Sequence, residues 1–363
     1  MIAGDSTSSL MRPLSALLLA VTMLLFGQAA PAPIEQVYTR LGSYLDALRI
    51  QAGIPGMTVA LVGQSDLLWE AAYGHRDVES STATGTDTPY QVAGLTQMVT
   101  ASLVLRCVEE GRLSLDDPIA RFDPDNPDAG STLRQVMSHS YGTSGSALFS
   151  YKLSRLEPLK FAIRTCTNDS FRETTANLLE QFAMIDSVPG ADVLTLVPPD
   201  EGVPDAVEAQ AYAAALVRLA TPYSVQGPGQ VSRSVYPDAT LMPSTGLVAS
   251  THDLAKFDIA LKQGLIVKPE TLAAAWAPPI GATGQPLPHG IGWFVQVYNG
   301  ETIVWQYGLN ENAGSALVMS VPARGITLIL LANSDGLVKP FDLSTGDVMV
   351  SPFARVFVGL LLR

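Results

Sequence analysis

Acyl transfer at an ester or amide carbonyl asks for few groups. It needs an attacking oxygen, a base about one helical turn away, a relay for the proton, and backbone N–H groups aimed at the developing oxyanion. This chain offers few candidates for the first three. Tyr151 stands beside Lys152, a phenol next to an amine. Ser144 and Ser146 lie just upstream in a Gly/Ser-rich turn, for which plain loop is the simpler reading. His139 ends the short segment 131–140 and tempts as a base. No Cys/His cluster has metal-ligand spacing, so no metal or other cofactor is implied. Cys107 and Cys166 are the only cysteines, each in a helix-like stretch, and the expectation is two buried free thiols rather than a disulfide.

The elements that would position these groups follow from periodicity. Leu95, Val99, Leu103 and Val108 recur near the helical period, and Gly111 ends that helix. Residues 33–51 read as an earlier helix. Residues 57–63 and 67–74 read as a strand hairpin, and 75–88 as polar turns. Residues 131–140 form a capped short helix, 149–188 are mostly helical, and 205–220 are Ala-rich and helical. Residues 222–240 read as a Gly/Pro/Ser loop. The last third is strand-rich: 291–297, 301–308, 316–322 and 325–333, the first two joined by an Asn299-Gly300 turn. A closing helix covers 353–362. Strands at both ends with helices between them predict an α/β (α+β) protein. Its antiparallel sheet would be built from two distant segments, 34–82 and 241–363, with a mostly helical domain, 83–240, inserted between them.

Totals bound the function class. The chain has 363 residues, 47% apolar and 15% charged, so it is globular and can bury a large core. Its net charge of −12 comes with no basic block, which argues against nucleic acid as a partner. Residues 1–29 read as a secretory signal. Arg12 precedes an apolar run to Phe26, and Gly27-Gln28-Ala29 offers small residues for cleavage after Ala29. The run is short for a spanning helix, and an uncleaved anchor is the alternative. The expectation is an exported protein, periplasmic or extracellular, off the membrane after cleavage.

Several stretches resemble the serine β-lactamase and penicillin-binding-protein superfamily, its class C β-lactamase and esterase branch in particular. The run Glu109-Glu110-Gly111-Arg112-Leu113-Ser114-Leu115-Asp116-Asp117-Pro118 matches the loop that follows the nucleophile helix almost letter for letter. Residues 131–140 resemble a further family stretch, in which the histidine matching His139 is structural. Residues 243–257 resemble another, and place His252 in a variable, surface part. Phe149-Ser150-Tyr151-Lys152-Leu153 looks like the family's tyrosine motif, with Leu153 in place of its asparagine. Trp305-Gln306-Tyr307-Gly308 looks like its Trp-His-x-Gly strand.

By that resemblance the serine of Ser-x-x-Lys falls on Gly94 and the lysine on Gln97, and Gln306 stands where His or Lys stands. Thr96, about 200° around the helix from position 94, should face away. Tyr151 is retained, the backbone of Gly94 and Leu309 would form the oxyanion hole, and Gly308, Lys152 and Leu153 would line the cleft. The resemblance thus implies a β-lactamase/transpeptidase-like fold. It also implies a pseudoenzyme whose cleft takes a peptide, a peptidoglycan fragment or a small ester or amide. The alternative is an active esterase, D-alanyl-D-alanine carboxypeptidase or β-lactamase with rewired residues such as Tyr151, Lys152, Ser144 or Ser146.

Overall fold

The structure is a computed structural model that describes residues 34–143, 145–198, 201–227, 229–237 and 239–361. The signal-like residues 1–29 and Ser144 lie outside the described residues. The chain divides into two compact units, one ending at Arg40 and one from Leu41 onward. Of the first, the described part is the opening of helix α1 (Ile34–Gln51). Everything below concerns the second.

Its centre is a seven-stranded antiparallel sheet. Three strands come from the N-terminal side: β1 (Gly56–Val62), β2 (Leu67–Asp77) and β3 (Thr82–Ala83). Four come from the C-terminal third: β4 (Phe294–Tyr298), β5 (Glu301–Asn310), β6 (Gly314–Val321) and β7 (Ile326–Ala332). The spatial order is β4-β5-β6-β7-β1-β2-β3, so β1 joins the two sets. Its register on β7 runs from Met57 opposite Ala332 to Val62 opposite Thr327, in line with the expected shared sheet. β1 and β6 are buried along their whole length, as uninterrupted apolar runs covered on both faces should be. The Asn299-Gly300 turn has positive φ at both residues, 51° and 79°, the geometry that matches the twist of the β4–β5 hairpin.

In sequence, the helices α2 (Thr96–Glu109), α3 (Leu133–Met137), α4 (Leu159–Thr167), α5 (Phe171–Gln181) and α6 (Ala206–Leu216) come between the two strand sets. Three of them begin with reciprocal caps, Thr132 with Gln135, Ser170 with Glu173 and Asp205 with Glu208. After them α7 (Thr251–Lys262) packs on β1 and β7, followed by α8 (Pro269–Ala275) and α9 (Pro352–Leu361). Helix α2 is buried along nearly all of its length, and the 3-10 turn that leads into it, Ala93–Leu95, sits against β5.

Two sequence expectations are corrected. Cys107 and Cys166 are not free thiols but a disulfide, with Cα atoms 6.0 Å apart. α2 packs on α4, which brings the two cysteines face to face; each helix alone gives no hint of that. Closing a loop across a separation of 59 residues stabilises the fold by about 4 kcal/mol in the chain-entropy account. The stretch 222–240 is not plain loop either. Tyr223–Gly227 and Gln230–Arg233 pair as a two-stranded hairpin, and Tyr223 reaches Asn333 at the end of β7.

Candidate functional site

Between β5 and the start of α2 the backbone is unusually close. A 3-10 turn, Ala93–Leu95, leads into α2, and Ala93 is held at φ +48°, a strained value for an alanine. A Cβ on Gly308 would lie 2.0 Å from the Val92 carbonyl oxygen, so only glycine permits the contact. A Cβ on Gly94 would lie 2.8 Å from the Tyr307 carbonyl oxygen and 3.7 Å from Gln97 Nε2. Position 94 therefore faces Gln97, but β5 occupies the space its side chain would enter.

Around it, Gln97, Tyr151 and Gln306 meet through hydrogen bonds. Gln97 Nε2 donates to the Tyr151 hydroxyl at 2.7 Å, and that hydroxyl donates to Gln306 Oε1 at 3.4 Å. Two histidines extend the chain in both directions. His139 Nε2 lies 3.2 Å from Gln97 Oε1, and the Lys152 backbone N–H donates to His139 Nδ1 at 3.3 Å. His289 Nε2 lies 3.3 Å from Gln306 Nε2, and its Nδ1 lies 2.7 Å from the Gly290 carbonyl oxygen. Gln306 also donates to the Gly292 carbonyl and accepts from the Tyr307 N–H.

These partners assign every proton. His139 Nδ1 must accept, so its Nε2 carries hydrogen and donates to Gln97. His289 Nδ1 faces a carbonyl and must donate, so its Nε2 accepts from Gln306. One directed relay results: Lys152 N–H to His139, to Gln97, to Tyr151, to Gln306, to His289, to the Gly290 carbonyl. Every member is neutral. Burial holds both histidines below their ordinary range. His289 falls to about 3, while His139 lies well below, helped by the charge it would share with His289 and Arg155. Burial likewise pushes the Tyr151 hydroxyl well above its ordinary range, with Tyr307 adding to the effect. Neither the phenol nor the imidazoles are poised to take a proton near neutral pH.

The remaining residues singled out in the sequence fall as follows. Thr96 is turned away from position 94: its hydroxyl donates to the Ala93 carbonyl and accepts from the Leu247 N–H. Lys152 contributes its backbone to the relay while its side chain is exposed. Leu153 is half-buried and packs against the main hydrophobic core. Leu309 is half-buried on β5, opposite Ser315 of β6. The Ser146 hydroxyl is engaged within its own loop by Thr143, and that loop bonds to the segment after α8, Ala147 pairing with Gly281. His252 is partly exposed beside Glu70. Among the described residues no group of three or more His, Cys, Asp or Glu is placed to hold a metal ion.

Sequence reasoning misses one member and sets another apart. His139 tempts as a base and reads as structural, yet its ring contacts Gln97 directly. His289 gave no signal: it is a lone histidine in Pro288-His289-Gly290, with no partner at a telling spacing. Aromatic rings enclose the pair, Phe294 lying 4.6 Å from His289 and Tyr151 4.5 Å from His139, centroid to centroid.

The sheet order, the strained turn ahead of a buried helix and the facing glycine of β5 define a serine-hydrolase-type fold whose polar centre carries no charge. The family model described as Beta-lactamase matches residues 40–182 and 190–346, and the chain belongs to that family. Among curated proteins it is similar to "Protein flp" of Staphylococcus aureus (strain MW2), 22% identical over 302 residues, or 77% of this chain; it spans 60% of that relative's length. Among solved structures it resembles the octameric penicillin-binding protein homologue from Pyrococcus abyssi, with TM-score 0.69 and 19% identity, covering 90% of this chain and 77% of that one. It also resembles D-alanine carboxypeptidase AmpC from Burkholderia cenocepacia, with TM-score 0.68 and 17% identity, covering 90% and 100%. D-amino acid amidase from Ochrobactrum anthropi SV3, complexed with L-phenylalanine amide, gives TM-score 0.65 at 17% identity, covering 90% and 99%. Penicillin-binding-protein and class C β-lactamase-like proteins thus share its fold.

Proposed function

We propose that this protein is an exported, non-hydrolytic member of the β-lactamase family, a pseudoenzyme that binds a peptide or small amide without forming an acyl-enzyme. The observation that carries the reading is the neutral relay through Gln97, Tyr151 and Gln306, with a glycine at position 94. Glycine brings no attacking oxygen. An amide has no titrating group with which to deprotonate one. Losing the nucleophile of a serine-type site costs on the order of 10⁶ in rate, leaving only what binding and oxyanion donors provide.

Ligand class is inferred from the amidase complexed with L-phenylalanine amide and from the D-alanine carboxypeptidase that share the fold. Tyr151 remains partly exposed and could meet such a ligand. The Cys107–Cys166 disulfide supports export, since such bonds persist in oxidising compartments.

Titration calorimetry with a D-alanyl-D-alanine peptide and with phenylalanine amide, followed by chromatography of the ligand, tests the proposal. Saturable binding with the ligand recovered intact is expected. Turnover, or the absence of binding to both, would overturn it.

A further inference from the structure

A second surface stands out away from the polar centre. Helices α5 and α6 do not close against each other along their outer edges. Between them lies a groove with a cavity volume of about 320 Å³. Leu179, Met184, Ala211 and Tyr212 line it, with Ile185 and Val207 on its rims. Those two rim residues are 71% and 77% exposed, far more than large aliphatic side chains ordinarily are. Helix α6 reads Ala-Val-Glu-Ala-Gln-Ala-Tyr-Ala-Ala-Ala-Leu and buries only Ala215 fully. A short, largely apolar helix with one buried residue is a helix with part of its packing surface unused.

The carboxylates lining the groove are those of Glu180 and Glu208, while the Lys256 ammonium, which donates to the Ala183 carbonyl on its wall, is already paired with Asp253. The Tyr212 hydroxyl is pushed up to about 12, first by burial and then by the carboxylates of Glu208, Glu180 and Asp205. Glu180 and Glu208 thus line the groove together with the tyrosine. Glu208 spends one oxygen on the Asp205 N–H in the cap of α6, while the Glu180 carboxylate makes no hydrogen bond or ion pair among the described residues. Arg172 acts on Tyr212 against these carboxylates, but its guanidinium is held bidentately by Asp192 and by the Pro189 carbonyl.

We infer that the α5–α6 groove is a docking site for an amphipathic helix of a partner protein, one that lays an apolar face on Leu179, Met184 and Ala211 and sets a lysine or arginine against Glu180 and Glu208. Apolar floor and acidic rim select an occupant with the complementary pattern. A second copy of this chain fits poorly. A two-fold interface would set each acidic rim near its own image, and the chain as a whole carries −12.

The test uses the full chain and two fluorescein-labelled synthetic helices, one of leucine and lysine and one of leucine and glutamate, read by anisotropy. The lysine peptide is expected to bind with a Kd on the order of 10 µM and the glutamate peptide not at all. Glu180→Lys should weaken binding about tenfold or more, a loss that removing a buried charge pair ordinarily exceeds. Val207→Ser, at an exposed position where folding is not at stake, should weaken it severalfold. Glu270→Lys, the same charge change at the exposed start of α8, should leave binding within about twofold. Equal weakening by Glu180→Lys and Glu270→Lys would reduce the effect to overall charge and overturn the inference. So would failure of the lysine peptide to bind the wild-type protein. A concentration-dependent dimer abolished by Glu180→Lys would assign the groove to a second copy and overturn it too.

Discussion

Two buried polar clusters lie side by side in this protein, and they are built on opposite principles. Around Arg155 the chain buries charge. Its guanidinium, 1% exposed, pairs with Asp128 at 2.8 Å, donates to the Ser140 carbonyl at 3.0 Å and lies over the Tyr141 ring. One residue before Ser140, His139 begins the other cluster, where charge is excluded and every hydrogen bond of Gln97, Tyr151, Gln306 and His289 runs between neutral groups. The fold can evidently hold a buried ion where one is satisfied. Neutrality at the Gln97–Gln306 centre is therefore a property of that centre and not of the interior at large. Each amide offers both a donor and an acceptor, which lysine cannot, and the relay needs both at positions 97 and 306.

Breaking the ionic cluster should have the largest effect. Arg155→Ala leaves Asp128 and the Ser140 carbonyl without their donors, and unfolding in urea should reveal a loss of about 4 kcal/mol. A loss under about 1 kcal/mol would mean that the pair is solvated and that the contrast between the clusters is smaller than drawn.

Putting charge into the neutral cluster comes next. In Gln97→Lys the ammonium would meet the Nε2–H of His139, and the Lys152 N–H prevents that ring from turning its acceptor toward it. The expected cost is about 3 kcal/mol, against about 1 kcal/mol for Gln97→Met, which removes the relay without adding charge. Equal costs in the same denaturation experiment would show that charge is not what this centre rejects.

Per pH unit, the smallest expected effect is a slope of stability with pH. His289 has a folded-state pKa of about 3, below its ordinary value. The unfolded chain therefore binds more protons, and stability rises with pH. The contribution is complete above about pH 6.5 and is lost as pH falls toward 3, at about 1.4 kcal/mol per unit. Asp253 and Asp258, raised by burial, slope the other way, so the comparison is between wild type and His289→Gln, whose stability should depend on pH less by that amount. Parallel curves between pH 7 and 4 would place a charged imidazole in the wild-type fold.

Much of this architecture could be read from residues alone, for identifiable reasons. The buried strands β1 and β7 are apolar runs bounded by glycine, proline and asparagine, and Asn299-Gly300 dictates its own turn. Position 94 and Gln97 could be located because the Glu109–Pro118 stretch resembles the loop after the family's nucleophile helix, and Gln306 because Trp305 and Gly308 resemble the residues that frame the family's strand motif. What could not be read depends on how elements meet. The disulfide required α2 to pack on α4. The hairpin at 223–233 is hidden by the glycines and proline of its own turn. His289 joins the relay only because the segment before β4 folds back on β5, 17 residues away in sequence from Gln306.

The most direct test of the central claim is incubation of the native, disulfide-bonded protein with a fluorophosphonate, read by intact mass beside an active serine hydrolase in the same tube. The hydrolase should label completely, and this protein should retain its unmodified mass, because no hydroxyl stands at position 94 and no base serves it. A stoichiometric adduct, mapped by peptide mass spectrometry to any serine, threonine or tyrosine of the site, would contradict the claim and identify the nucleophile that replaced the one glycine cannot supply.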